Sequence, residues 1–191
     1  MAKPTNTEFD LLGVNHLALV CRDMKKTVEF YRDKLGMPLL KTIELPRGMG
    51  QHFFFGLGNG DAIAFFSFPD SPKAAPGIAA PAALPTQGSI ASAHGSMNHI
   101  AIDVPPEKFD EYVKRLKEKG IETTAVFNHD DSPTGAAEAM HDGVFERSVY
   151  FFDPDGICLE FAAWTRDLNE SDVRHEPRGA IAEITQGGAE Y

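Results

Sequence analysis

The sequence predicts an α+β fold made of two tandem βαβββ modules. Three observations carry that prediction. A strand-like stretch around an Asn-His pair occurs twice, and one amphipathic helix ending at a glycine follows each copy. Three further strand-like runs then follow each helix. Strand-rich units with a single helix apiece belong to the α+β class rather than to parallel α/β sheets.

The first element of each module is the repeated stretch itself. Val14-Asn15-His16-Leu17-Ala18-Leu19-Val20 returns as Met97-Asn98-His99-Ile100-Ala101-Ile102-Asp103-Val104, and both alternate in the manner of a strand. A helix-start signal follows at Asp23 in one copy and at Pro105-Pro106 in the other. The first helix carries Met24, Val28, Tyr31 and Leu35 on one face, and the second carries Phe109, Val113 and Leu116. Gly36 and Gly120 stop them, as glycine does just past a last helical turn.

Strands are then expected at 39–45, 51–57 and 61–68, and again at 122–127, 146–152 and 157–164. Gly58-Asn59-Gly60 and Asp153-Pro154-Asp155-Gly156 supply hairpin turns before the last strand of each set. The modules are thus bounded at 11–68 and 97–164. Residues 69–96, with five prolines and many alanines, read as a semi-rigid linker or flap. Residues 165–191 read as a polar tail. The second module also holds a longer loop at 128–143, with His129, Asp130, Asp131 and His141, and long loops on compact domains are often functional.

Composition bounds the function. Of 191 residues, 42% are hydrophobic and 24% charged, so a packed core is expected. Eighteen basic against 28 acidic residues give a net charge of −10, a poor match to a nucleic-acid backbone. No apolar run is long enough to span a membrane, and the first residues lack a secretory pattern. Cys21 and Cys158 are too few for a disulfide framework. The expectation is a cytoplasmic protein that acts on a small molecule.

One histidine on a strand is more often a hydrogen-bonded core residue than a ligand. His16 and His99, however, occupy the same position of the same strand in both copies, which a structural role rarely demands. Glu160 sits inside the apolar run Ile157-Cys158-Leu159-Glu160-Phe161-Ala162-Ala163-Trp164, where a carboxylate is costly unless paired or bound to a cation. Two imidazoles and one carboxylate match a facial triad with open coordination positions, which points to catalysis. Cys158 is a further soft donor on the face of Glu160, with an ordinary core thiol as the plainer reading.

The pieces Asn15-His16-Leu17-Ala18, Phe30 to Met37, Asn98-His99-Ile100-Ala101 and Phe152 to Phe161 resemble the vicinal oxygen chelate superfamily. It contains glyoxalase I, extradiol ring-cleaving dioxygenases, and fosfomycin and bleomycin resistance proteins. The resemblance spans about residues 11 to 164 and implies a cupped, barrel-like mixed β-sheet around one divalent metal ion. Glyoxalase I enzymes use four protein ligands. Here the position matched to Glu160 in the first module is Phe65, which leaves three: His16, His99 and Glu160. That set resembles the extradiol enzymes, which implies Fe(II), with Mn(II), Zn(II), Co(II) and Ni(II) as alternatives.

The same resemblance implies a catalytic tyrosine at Tyr150 and a substrate-side histidine at His141. It also implies an acid–base histidine before the last strand of the first module, where this chain has Gly60 and Asp61. An aspartate, ordinarily ionised above about pH 4, is poorly matched to neutral proton transfer. Strand parity places Gln51, Phe53, Phe55, Ile63 and Phe65 on one face, expected to be an apolar pocket wall suited to a small aromatic substrate. An extradiol-type dioxygenase is the leading expectation. A glyoxalase-like lyase or isomerase and a ligand-sequestering resistance protein are the rivals. The linker allows the modules to pair within one chain or to swap across a homodimer.

Overall fold

The computed structural model describes residue 8 and residues 12–177. Its first half runs β1 (His16–Val20), α1 (Met24–Val28), β2 (Leu39–Glu44), β3 (Gln51–Gly58) and β4 (Asp61–Ser67). These strands form a sheet in the order β1-β4-β3-β2, with β1 parallel to β4 and the other pairs antiparallel. The second half runs β5 (Ile100–Asp103), α2 (Phe109–Glu118), β6 (Phe127–His129), β7 (Ala136–Ala137), β8 (Glu146–Phe152) and β9 (Cys158–Trp164). Its sheet has the order β5-β9-β8-β6-β7, again with one parallel pair, β5 with β9. Among the described residues no strand ladder joins the sheets, so the backbone bonding is that of two separate sheets, not a closed barrel.

Local chemistry explains the elements. Asp23 caps α1, its carboxylate accepting the Lys26 N–H at 3.2 Å. The helix was expected to continue to Gly36 as a regular α-helix, but over Glu29–Lys34 it widens into a π-helical turn. The widening accommodates an extra residue, so adjacent Phe30 and Tyr31 both turn inward and are buried. The β3–β4 hairpin turns through Asn59 and Gly60, both at positive φ (51° and 91°), which suits the right-handed twist of the strands.

A strand was expected over 122–127, yet residues 122–126 lie outside the ladder. There Thr124 attaches them to Tyr150: its N–H donates to the Tyr150 carbonyl at 2.9 Å, and its hydroxyl accepts the Tyr150 N–H at 3.1 Å. A threonine side chain thus takes the place of a ladder bond, and pairing begins only at Phe127. Part of the long loop is also structured, since β7 pairs with β6.

The core lies between the helices and the inward faces of both sheets. Tyr31 packs on Phe65 and Phe55 at centroid distances of 4.8 and 5.6 Å, and all three are fully buried. Burying each such side chain contributes roughly 2–3 kcal/mol. Phe109, Val113 and Leu116 of α2 belong to the same apolar cluster as Phe151, Leu159 and the first-half residues. With both helix layers turned into one core, the opposite face of each sheet is left open. His16, Ala18 and Val20 stand exposed on one, and Trp164 stands exposed on the other.

The segment 69–96 holds no regular strand, but it is more than a tether. Leu84 is buried against Tyr150 and Cys158. Both cysteines are free and buried. No helix among the described residues is long and apolar enough to cross a membrane. The expected tail lies partly outside the described residues; up to Pro177 it holds one short 3₁₀ turn, Glu170–Asp172.

Candidate metal centre

His99 directly precedes β5, and Glu160 lies on β9 beside it. Ala101 pairs with Glu160, which brings the His99 ring over the carboxylate, Nε2 to Oε2 3.0 Å. Asn98 Oδ1 lies 2.8 Å from His99 Nδ1, and an amide oxygen only accepts, so Nδ1 carries the proton there. Nε2 is thereby turned to Glu160, donating to it when the ring is protonated and presenting a lone pair to a cation when it is not. Two donors this close repel one another unless a proton or a cation lies against them.

Glu160 is 2% exposed. Burial alone would raise its pKa, but hydrogen bonds from His99, then Tyr150 and Ser148, outweigh burial and hold it below the usual carboxylate range. His99 is raised in turn, first by its bond to Glu160, with burial opposing. An ionised, buried carboxylate beside an oriented imidazole fits a divalent cation of intermediate hardness.

The pair opens into a cavity of about 440 Å³, whose walls include Asp103, His129, Glu146, Tyr150 and Trp164. Tyr150 lies directly across the β8–β9 ladder from Glu160, its ring edge-on to His99 at 5.6 Å. Burial, followed by the charges of Glu160 and Glu146, pushes its phenol well above the ordinary value, so it remains a neutral donor. Glu146 is raised to about 7 by burial and then by repulsion from Glu160. Cys158 is raised to about 11 by burial and by Glu160, so its thiol stays protonated and makes a poor ligand as it stands.

His141 does not line this cavity. Its Nδ1 accepts the Gly143 N–H at 3.0 Å, and its Nε2 donates to Asp130 at 3.1 Å, so both nitrogens are engaged in the loop. The loop histidine that reaches the cavity is His129, with Nε2 2.7 Å from the Ser148 hydroxyl. Strand parity along β8 places Glu146 and Ser148 beside Tyr150, and that part of the wall was readable from sequence. His129 was not, because it required knowing that β6 pairs with β8.

His16 repeats the orientation device of His99: its Nδ1 lies 2.7 Å from Asn15 Oδ1. Its ring meets Phe54 edge-on at 5.4 Å, and Phe54 leads to His52, which stacks on Phe66 at 3.6 Å. These aromatics, rather than the expected set, share the face of His16. Phe53, Phe55 and Phe65 face the core beneath α1, and Gln51, on the same side of β3, donates to Glu44 at 2.6 Å. The expected pocket wall is therefore corrected to the opposite side of the sheet.

Register explains the error. Ala18 pairs with Ala64 as Ala101 pairs with Glu160, so the counterpart of Glu160 is Ala64, one residue from Phe65. The corrected position is still not a ligand. Asp61 opens β4 opposite Gly58 and is not among the residues lining the cavity. Among the described residues, no three His, Cys, Asp or Glu side chains converge closely enough to hold a metal. One chain thus brings together His99 and Glu160 and presents His16 on a separate face.

Comparison with known proteins agrees with this architecture. The chain is 29% identical over 150 residues to YwkD, an uncharacterized protein of Bacillus subtilis, covering 78% of this chain and 95% of that one. It is 26% identical over 161 residues to MhqE, a putative ring-cleaving dioxygenase of the same organism, covering 78% of this chain but only 47% of the relative. The chain spans about half of MhqE. A glyoxalase family protein from Enterococcus faecalis superposes with a TM-score of 0.55 at 25% identity, covering 81% of this chain and 99% of that one. The family model for the Glyoxalase/Bleomycin resistance protein/Dioxygenase superfamily matches residues 13–161. The chain belongs to that superfamily.

Proposed function

We propose that the protein is a metal-dependent enzyme acting on a small substrate with two adjacent oxygens, and that its metal centre is shared between two copies of the chain. The observation that carries this reading is the duplicated Asn–His device. In both halves an asparagine oxygen holds Nδ1 and turns Nε2 outward, yet only the Nε2 of His99 has a carboxylate, Glu160, against it. His16 of a second copy would complete the set if its open sheet face covered the cavity of the first. Exposed Val20 and Trp164, each about half exposed (50% and 47%), give the two faces apolar surface to bury.

Fe(II) is the favoured ion, with Mn(II), Zn(II), Co(II) or Ni(II) compatible with the same donors. When bound, it supplies Lewis-acid contact to adjacent substrate oxygens and, with iron, a route for electrons to O₂. The chain's own residues do the rest. Tyr150, neutral through the working pH range, donates to an oxygen that gains negative charge. Phe54, which packs edge-on to His16, would bring an aromatic surface from the second copy, and Trp164 and Phe145 line the cavity of the first.

The best reading is an extradiol-type dioxygenase for a small aromatic diol, supported by the three-ligand set and by similarity to MhqE. A second reading, a glyoxalase-like lyase or isomerase, is favoured by one observation. Glu146 lies in the cavity with a pKa near 7, suited to taking a proton at neutral pH. An oxygen electrode with iron-loaded protein separates the two. Catechols and hydroquinones should trigger O₂ uptake under the first reading. Turnover of a glutathione hemithioacetal without O₂ would replace it with the second. Silence on both, with tight binding of an aromatic ligand, would move the protein to the sequestering class.

A further inference from the structure

We propose that His129 is a positioning residue of the metal centre, acting through Ser148 to hold the Glu160 carboxylate. This inference rests on the metal reading above. Ser148 is fully buried on β8, on the same face as Tyr150 and diagonally across the β8–β9 ladder from Glu160, and its hydroxyl is among the groups that favour the ionised Glu160 carboxylate. That hydroxyl has a single proton. It also lies 2.7 Å from His129 Nε2. If Nε2 is a bare lone pair, the serine proton turns to it and Glu160 loses a donor. If Nε2 carries hydrogen, His129 donates to the serine oxygen and the serine proton is released to Glu160. The proposed role uses the second arrangement, with Nε2–H on His129 and the chain of donors pointing at the ligand.

The ring is held for this task. It stacks between Phe127 at 5.7 Å and Phe145 at 6.3 Å, nearly parallel to the first. The Phe145 N–H donates to the His129 carbonyl at 2.9 Å, so the backbone is anchored as well. Groups that orient a metal ligand commonly change affinity when removed, without touching the ion.

The test is calorimetric titration of the full-length protein with Mn(II), with thermal unfolding as a check on folding. Ser148→Ala and His129→Phe should each weaken Mn(II) binding about tenfold. His129→Gln retains an amide N–H and should stay within about threefold of the unmodified protein. The double variant S148A/H129F should bind no more weakly than S148A, because His129 acts only through the serine. Should H129F fail to fold, His129→Ala is read in its place. Unchanged affinity in the removal variant, or losses that add in the double variant, would overturn the role of His129. Glu160→Ala distinguishes the two levels: if it binds Mn(II) like the unmodified protein, the metal centre itself is wrong and this inference falls with it.

Discussion

The Tyr31 hydroxyl donates to Asp153 Oδ2 at 3.1 Å, a buried bond between the helical turn of the first half and the last hairpin of the second. The other oxygen of Asp153 accepts the Asp155 and Ile157 N–H groups at 2.8 Å each, so one carboxylate shapes the turn and ties the halves together. Close by, the Arg22 N–H donates to Asp155 at 3.0 Å. This junction fixes the last hairpin turn of the second half against the helical turn of the first.

Tyr31→Phe should cost about 1–3 kcal/mol in urea unfolding, since it leaves a buried carboxylate oxygen without its donor. Burial raises Asp153 to about 6, above the ordinary 3.8. The sign follows from linkage. Its contribution to stability is fully present below about pH 4 and is lost as pH rises towards about 6. Asp153→Asn removes that dependence, so the variant should gain stability relative to the parent across this interval and hold a constant difference above it. A difference that is flat from pH 4 to 7 would contradict the assignment.

Much of this was legible in the sequence, and the reasons are specific. The Asn15-His16 and Asn98-His99 repeat, the turn residues and the α2 stripe of Phe109, Val113 and Leu116 all act locally, so the spacing showed them. Glu160 stood out because a carboxylate in an apolar strand needs a partner. Register did not show itself. A shift of one residue exchanges the faces of a strand, and aligning the two modules put Phe65 where the ladder puts Ala64. The roles of His129 and Leu84 depended on contacts between elements distant in sequence. His141 fitted a spacing, but Asp130 and Gly143 engage it elsewhere.

Ala64 and Phe65 should therefore respond oppositely to the same change. Ala64→Glu places a carboxylate on the face of His16, and it should bind a divalent metal at least as tightly while losing activity that requires the extra open position. Phe65→Glu drives a charge into the core against Tyr31 and should leave the protein largely unfolded at neutral pH. Metal titration and circular dichroism of both variants check this. A well-folded F65E would contradict the register.

Leu84 should behave as a core residue although it lies between the two halves. It is 3% exposed against Tyr150 and Cys158. Leu84→Ala should cost about 2–4 kcal/mol by leaving a cavity there, measured by urea unfolding. It should also speed proteolytic cleavage within residues 69–96. A loss below about 0.5 kcal/mol, the range of ordinary surface changes, would show that the segment is only a tether.

The shared metal centre is tested most directly by mixing two variants that are each defective. His16→Ala lacks the first-half ligand, and Glu160→Ala lacks the second-half one. Alone, neither should retain a high-affinity Mn(II) site. After unfolding and refolding together in equal amounts, half of the dimers should be mixed, and each mixed dimer should hold one complete site formed from His16 of one copy and His99 with Glu160 of the other. About a quarter of the high-affinity sites of the unmodified protein should return in equilibrium dialysis against Mn(II), on random pairing of a symmetric dimer. No recovery, with both variants folded and dimeric, would contradict a centre built across two chains.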